Sequence, residues 1–361
     1  MSEVSQLQAR EQLLTGASEA PYAKDMRRIS KRLSRVAEDV GPGSFLQQGW
    51  AVLDGLLGRS WAEALARECE TLEGRGLLAA HSFEFDASSG SSAGSGRCAF
   101  EHPGRACAEL NFGQICGEVA ACAPLLSAFA RQHATAFAHV LSKEFPELEL
   151  STDPVSVQVK LQLTRGAYGC APCHYDTSDT APARQVTLLL YLSKDWDAPS
   201  GGELQLLPFL AAPVLLTPAF DRGVLFLADR MLHRSLPPSS VGAAQARWLL
   251  TVWFDGACVN RPLGGQPWPP LLQRLLAPAV YAREHLEALE QGLPPGAARD
   301  ALCRVQLEEI QAIERDPELS EMLDELRQAA SEAAQEDSSE PPWKRQRCDA
   351  SLCEDGATEK K

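Results

Sequence analysis

Basic side chains are scarce in this chain of 361 residues: 34 Lys and Arg stand against 48 Asp and Glu, a formal net charge of -14. A phosphate backbone needs a cationic face, so the deficit speaks against a nucleic-acid partner. Long apolar runs are missing as well. The longest candidate, 209–220, is short and interrupted by Pro213 and Pro218, below the length of a bilayer-spanning helix, so no membrane partner is expected. The first residues, Met1 to Gly16, contain no apolar segment of the kind a secretory leader carries. The 11 cysteines are odd in number. Free thiols in a reducing compartment are the simpler reading than a disulfide framework, and the expected location is cytoplasmic and/or nuclear. Hydrophobic residues make up 45% and charged residues 23%, ordinary values that allow a sizeable core.

What is present divides into four stretches. Residues 1–44 read as a helical extension, with Met26, Ile29, Leu33 and Val36 at helical spacing. Lys24, Arg27, Arg28, Lys31, Arg32 and Arg35 lie between them and are expected to form a solvated basic face. From Phe45 the pattern becomes α+β: a strand and turn, then a helix over 60–74 with Ser60 as N-cap, a Ser/Gly-rich loop over 86–97, and a helical stretch over 117–146. Such a loop inside a domain suits a lid beside a site. Strands dominate next. Val155, Val157, Val159, Leu161 and Leu163 alternate with other residues, and short apolar runs follow at 185–192, 203–207, 213–217, 223–227 and 247–254. Many short strands separated by turn residues predict a barrel or jelly roll. The region 259–335 returns to helix, is rich in acidic residues, and could present a partner surface; 336–361 reads as a disordered tail.

His174 and Asp176 flank one residue, and His233 and Arg247 follow. Two histidines and a carboxylate on one face of an octahedron form the facial triad of non-haem Fe(II) oxygenases, leaving three positions open. The spacing predicts that His174 and Asp176 share one side of a strand, since alternate residues share a face. 2-Oxoglutarate fills two open positions with its keto oxygen and one carboxylate, and O2 takes the third. The far carboxylate then calls for a cation, and the planar fork of an arginine suits it. Arg247 opens an apolar strand and is expected to point into a cavity, where an unpaired charge would require an anionic partner.

The segment Tyr191-Leu-Ser-Lys-Asp-Trp-Asp-Ala-Pro-Ser-Gly-Gly-Glu-Leu204 resembles that of the prolyl 4-hydroxylase family, closest to the hydroxylases that act on hypoxia-inducible factor. Phe220 to Phe226, Asp229-Arg230 with His233, and Arg247 to Phe254 extend the resemblance, which covers roughly 45–256 and is strong from about 170 to 255. It implies a double-stranded β-helix core over about 155–256, within a 2-oxoglutarate/Fe(II) dioxygenase domain over 45–258. It also implies Fe(II), 2-oxoglutarate and O2, support by L-ascorbate, and hydroxylation of a prolyl residue in a protein or peptide with release of succinate and CO2. Carried over by position, Tyr191 and Thr251 assist Arg247 with the far carboxylate, while Arg184 and Trp253 line the substrate cleft. The sequence departs from the family at Thr164 and Ala171, where tyrosines are usual, which bears on the substrate more than on the iron.

Rival readings are weaker. Cys170-Ala-Pro-Cys-His174 matches a haem-attachment pattern but leaves Asp176, His233 and Arg247 unexplained. A zinc site would need a second ligand pair. A non-catalytic binding module on the same fold need not keep all four residues, and they are present. An oxygenase acting on another residue or a small molecule shares the whole constellation.

Overall fold

Alternating and apolar runs become strands wherever turn residues punctuate them. The structure, a computed structural model, describes residues 23–39, 43–86, 97–101, 107–114, 116–263 and 268–336. The strands are β1 (Trp50–Asp54), β2 (Ala79–Ala80), β3 (Ser82–Asp86), β4 (Arg97–Glu101), β5 (Cys107–Asn111), β6 (Val157–Thr164), β7 (Ala171–His174), β8 (Arg184–Tyr191), β9 (Leu204–Leu207), β10 (Val214–Leu216), β11 (Arg222–Leu227), β12 (Leu232–Ser235) and β13 (Arg247–Asp255). Among the described residues they form a seven-stranded sheet in the order β1-β11-β8-β13-β6-β5-β2, a four-stranded sheet β10-β9-β12-β7, and the hairpin β3-β4. The recorded strand pairings are antiparallel.

Both faces of the large sheet are used. Leu161, Leu163, Leu188, Leu190, Leu250 and Val252 join Trp61, Leu65, Phe129 and Phe137 of the helices in one buried cluster. The alternate residues Leu189, Tyr191, Val224 and Phe226 point the other way, onto Leu204 and Leu206 of the small sheet. Period-2 alternation thus assigns each strand one face to the helical layer and one to the space between the sheets.

The helix Ala23–Glu38 docks through Ile29 and Leu33, which are 0% and 1% exposed. Its expected basic face is not wholly solvated: Arg28 donates to the Leu57 carbonyl and Arg32 to that of Asp54. The second long helix is Arg59–Gly74, and Ser60 does not cap it; Gly58 occupies the N-cap with no side-chain cap. Asp221 instead fastens the turn that leads into the helix, its carboxylate accepting from the N–H groups of Leu57 and Gly58 at 2.8 Å each. Asp221→Ala leaves those donors without their acceptor and is expected to cost about 1–3 kcal/mol in urea unfolding. A loss below ~0.5 kcal/mol would contradict this role.

The expected helix over 117–146 is segmented into Gly117–Cys122, Pro124–Ala128, a π-helical turn Phe129–His133, and Ala134–Glu144. Pro124 lacks the N–H that would continue the first piece and is suited to start the next. The C-terminal helices are Pro270–Val280, Ala282–Gly292, Ala297–Arg315 and Pro317–Glu336. Arg234 of β12 ties the second of them to the small sheet through the Glu284 carbonyl at 3.1 Å and the Glu287 carboxylate at 2.8 Å. No helix among the described residues is long and apolar enough to cross a membrane. The interior of the Ser/Gly loop, the first 22 residues and the tail beyond Glu336 lie outside the described residues.

Candidate metal centre

β7 and β12 are neighbours in the small sheet, and their register sets His174 directly opposite His233. This pairing brings the two imidazoles together from distant points of the sequence, with ring centroids 4.3 Å apart. Each Nδ1 lies near a backbone oxygen: His174 at 2.8 Å from Pro172 O, His233 at 3.1 Å from Met231 O. A carbonyl can only accept, so each Nδ1 carries the proton and each Nε2 is left as a ligand. Both Nε2 atoms face Asp176, at 3.6 Å from Oδ1 for His174 and 4.0 Å from Oδ2 for His233. One ligand atom from each residue lies within 4.8 Å of the others. Bonds of about 2.0–2.2 Å to a shared ion need only a modest closure of that triangle.

One expectation is corrected. β7 ends at His174, so Asp176 sits on the bend beyond it and not on the same strand face. Its carboxylate is aimed by Thr187 of β8, whose hydroxyl donates to Oδ2 at 2.6 Å.

The electrostatics suit a cation. Burial opposes ionisation of Asp176, yet His233, His174 and the Thr187 hydroxyl outweigh it and hold the carboxyl well below its usual range. Burial, with the neighbouring His174 charge, pushes His233 down to about 4. For His174, burial favours the neutral ring, but the hydrogen bond and charge of Asp176 prevail and push it up. A metal here would compete with a proton for His174 Nε2.

Thr187, Leu189 and Tyr191 share one face of β8. Their neighbours across the ladder are Trp253, Thr251 and Leu249 of β13, with Arg247 next along the same face. Tyr191, Arg247, Thr251 and Trp253 therefore belong to one interior wall, and Asp176 is tied to it through Thr187. Arg247 is 4% exposed. Its Nε donates to Thr164 Oγ1 at 2.9 Å, Nη1 to Gly202 O at 2.6 Å, and Nη2 to Gly169 O at 3.0 Å. The guanidinium is thus hydrogen-bonded rather than bare, but those three acceptors are neutral, and they fix its plane without cancelling its charge. Tyr191 is buried, and burial pushes its hydroxyl up to about 12 against the pull of Arg247, so it remains a donor. Thr251 is 3% exposed, its hydroxyl 3.4 Å from Gln162 Oε1. Arg184 donates to Asp176 O at 3.4 Å and Gln158 Oε1 at 2.9 Å, and its Cζ lies 4.0 Å from the Trp253 ring centroid.

Sequence reading missed Thr187 and Gly202, and assigned the departure at Thr164 to the substrate, whereas its hydroxyl accepts from Arg247. Alternation along β8 carried a signal for Thr187, four positions before Tyr191 on the same face. Gly202 is needed twice: its φ is +70°, and a Cβ there would lie 2.9 Å from Arg247 Nη1 and 3.0 Å from Trp196 Cζ2. Gly202→Ala is expected to cost about 1–3 kcal/mol of stability in backbone strain. It should also weaken whatever anion Arg247 holds, measured as a raised dissociation constant. An unchanged constant would separate Gly202 from the arginine.

Residues 161–255 match the family described as the 2OG-Fe(II) oxygenase superfamily. The fold aligns with a solved structure of prolyl 4-hydroxylases from Phytophthora capsici over 88% of this chain and 98% of that one, with a TM-score of 0.64 and 27% identity. A stretch of 76 residues is 40% identical to Egl nine homolog 1 of Homo sapiens, covering 20% of this chain and 17% of the relative. The same protein from Rattus norvegicus matches at 40% over 76 residues, 20% of this chain and 21% of its own length. The matched stretch spans about a fifth of these curated relatives. The superfamily match implies Fe(II), 2-oxoglutarate and O2, and the His-Asp-His donor set and the buried guanidinium fit that metal and that dianion.

Proposed function

We propose that the chain hydroxylates prolyl residues of a protein or peptide, converting 2-oxoglutarate to succinate and CO2; the match of residues 161–255 to the 2OG-Fe(II) oxygenase superfamily supports this chemistry. We read its two facing sheets as a double-stranded β-helix within a domain over 45–258, located in the cytoplasm and/or nucleus. The observation that carries the reading is the convergence of the His174, Asp176 and His233 ligand atoms within 4.8 Å, with Asp176 joined through Thr187 to the face of the large sheet that also presents Arg247.

When bound, iron with its co-substrate supplies decarboxylation of 2-oxoglutarate coupled to placing one oxygen atom of O2 in a C–H bond, with L-ascorbate keeping the metal reduced. The protein's own residues do the rest. His174, Asp176 and His233 would hold the metal through three ligand atoms and leave room for the co-substrate and O2. Arg247 and the Tyr191 hydroxyl pair with the far carboxylate, with Thr251 beside them, so the co-substrate enters in one orientation. Thr187 holds the Asp176 carboxylate in its ligating rotamer. Trp253 and Arg184, next to Asp176, form the floor on which a peptide lies.

Likeness to the prolyl 4-hydroxylases of Phytophthora capsici supports proline as the target. The test is a panel of proline-containing peptides incubated with Fe(II), 2-oxoglutarate, ascorbate and air. Gain of one oxygen on proline, matched by succinate, is expected. Succinate formation with oxygen placed only on other residues or on small molecules would remove proline from the proposal.

A further inference from the structure

The inner face of β6 is polar where an apolar lining would be expected. Gln158, Lys160, Gln162 and Thr164 pair across the ladder with Trp253, Thr251, Leu249 and Arg247 of β13. Lys160 therefore stands on the wall of the metal centre, between Thr251 on one side and Asn111 of β5 on the other. Its side chain is 18% exposed, and Nζ lies 3.4 Å from Glu109 Oε2 and 5.1 Å from the Trp253 ring centroid. Glu109 is also bound by His81 Nδ1 at 2.8 Å. Half-burying a lysine costs free energy, and a tie between two strands could have been made with neutral groups.

The same indole carries a second cation, Arg184, with Cζ 4.0 Å from the ring centroid. The side-chain and backbone oxygens that Arg184 reaches are neutral. Two buried donors in this cluster, Arg184 Nε and Trp253 Nε1, have no hydrogen-bond partner among the described residues. Trp253 is 6% exposed, so its donor is withdrawn from bulk water. In the loaded centre, Asp176 and the two carboxylates of 2-oxoglutarate would offset the iron and Arg247, Glu109 offsets Lys160, and Asp255 stands opposite Arg184 across the β8–β13 ladder. Lys160 and Arg184 thus share one indole beside the metal centre, with two orphaned donors in the same cluster.

We propose that Lys160 is a specificity-determining residue: together with Arg184 it selects peptides that carry a carboxylate next to the residue to be hydroxylated. This deepens the reading of the chain as a peptide hydroxylase and rests on it. Glu109 pairs with the ammonium as an ion pair at 3.4 Å and orients it; the ammonium N–H groups are available to a substrate carboxylate over Trp253. Glu109 also sets the threshold for selection, because the incoming carboxylate must compete with it.

The experiment uses the full chain with Mn(II) and 2-oxoglutarate under nitrogen, so that binding proceeds without turnover. Fluorescent proline-centred peptides carry Glu or Gln at each flanking position, and affinity is read by anisotropy. The Glu peptide is expected to bind roughly tenfold tighter at one flanking position or more, the scale of one charge-assisted hydrogen bond. Lys160→Met should bring it down to the Gln level, while Lys160→Arg preserves the preference. Glu109→Gln, which removes the competing carboxylate, should widen it and answers the question even if Lys160→Met fails to fold. Equal affinity of Glu and Gln peptides at all positions, no binding of either, or a preference that survives in folded Lys160→Met would overturn the proposal. A merely structural Lys160–Glu109 tie would lower the melting temperature without moving the preference. If acidic peptides bind selectively but gain no oxygen with Fe(II) in air, charge selection stands and peptide hydroxylation fails. If oxygen is gained without charge preference, the reverse holds.

Discussion

Asp176→Ala is expected to cut Fe(II)-dependent 2-oxoglutarate consumption by more than about 100-fold, beyond the 10–100-fold cost of losing a group that merely orients a ligand. The carboxylate is the one anionic member of the triad, and its pull on both imidazoles is written in the geometry: 3.6 Å to His174 and 4.0 Å to His233. Without it, two neutral imidazoles remain and the charge that offsets the metal is gone. The loss should be visible first in metal affinity, read by titration with Co(II), and then in turnover. Thr187→Val keeps all three ligands and frees the carboxylate to rotate, so a milder loss, roughly tenfold, is expected. Wild-type metal affinity in Asp176→Ala would dismiss the triad.

Arg247→Ala is expected to raise the KM for 2-oxoglutarate by roughly thirty-fold or more, because truncating one partner of a buried charge pair costs about 2–5 kcal/mol. The substitution also strips three acceptors of their donor: Thr164 Oγ1, Gly202 O and Gly169 O. Lys in this place keeps the charge, but a point charge on a flexible stem cannot reproduce a plane fixed from three sides while still gripping a carboxylate. Arg247→Lys should therefore fall between wild type and Ala. A KM unchanged in Arg247→Ala would move the far carboxylate elsewhere. Tyr191, with its hydroxyl held as a donor, would then be the next group to consider.

The chemistry was more legible than the scaffold. His174, Asp176, His233 and Arg247 stand out because their residue types are costly to bury without a purpose, and the structure gathers the first three. Strands β6, β8, β11 and β13 announce themselves by alternation or by apolar runs between turn residues. What escaped depends on partners far away in sequence. Asp221, just before β11, fastens the turn ahead of Arg59–Gly74, so no local pattern betrays it, and Ser60 offers a cap that the fold does not use. β5, Cys107–Asn111, has few β-branched or aromatic residues and exists because β6 offers it an edge. Asp176 was placed on a strand because alternation ignores where a strand stops. Lys160 looked like one polar member of an alternating row; only the register across β13 shows that its row faces the metal centre.

The central claim is that this centre spends 2-oxoglutarate and O2 together. The most direct measurement is turnover under 18O2 with Fe(II), ascorbate and the proline peptide panel, with succinate and peptide both analysed by mass spectrometry. The account predicts succinate carrying one labelled oxygen, formed in step with label entering the peptide, and neither product with Asp176→Ala. Unlabelled succinate, or labelled peptide formed without 2-oxoglutarate, would contradict it.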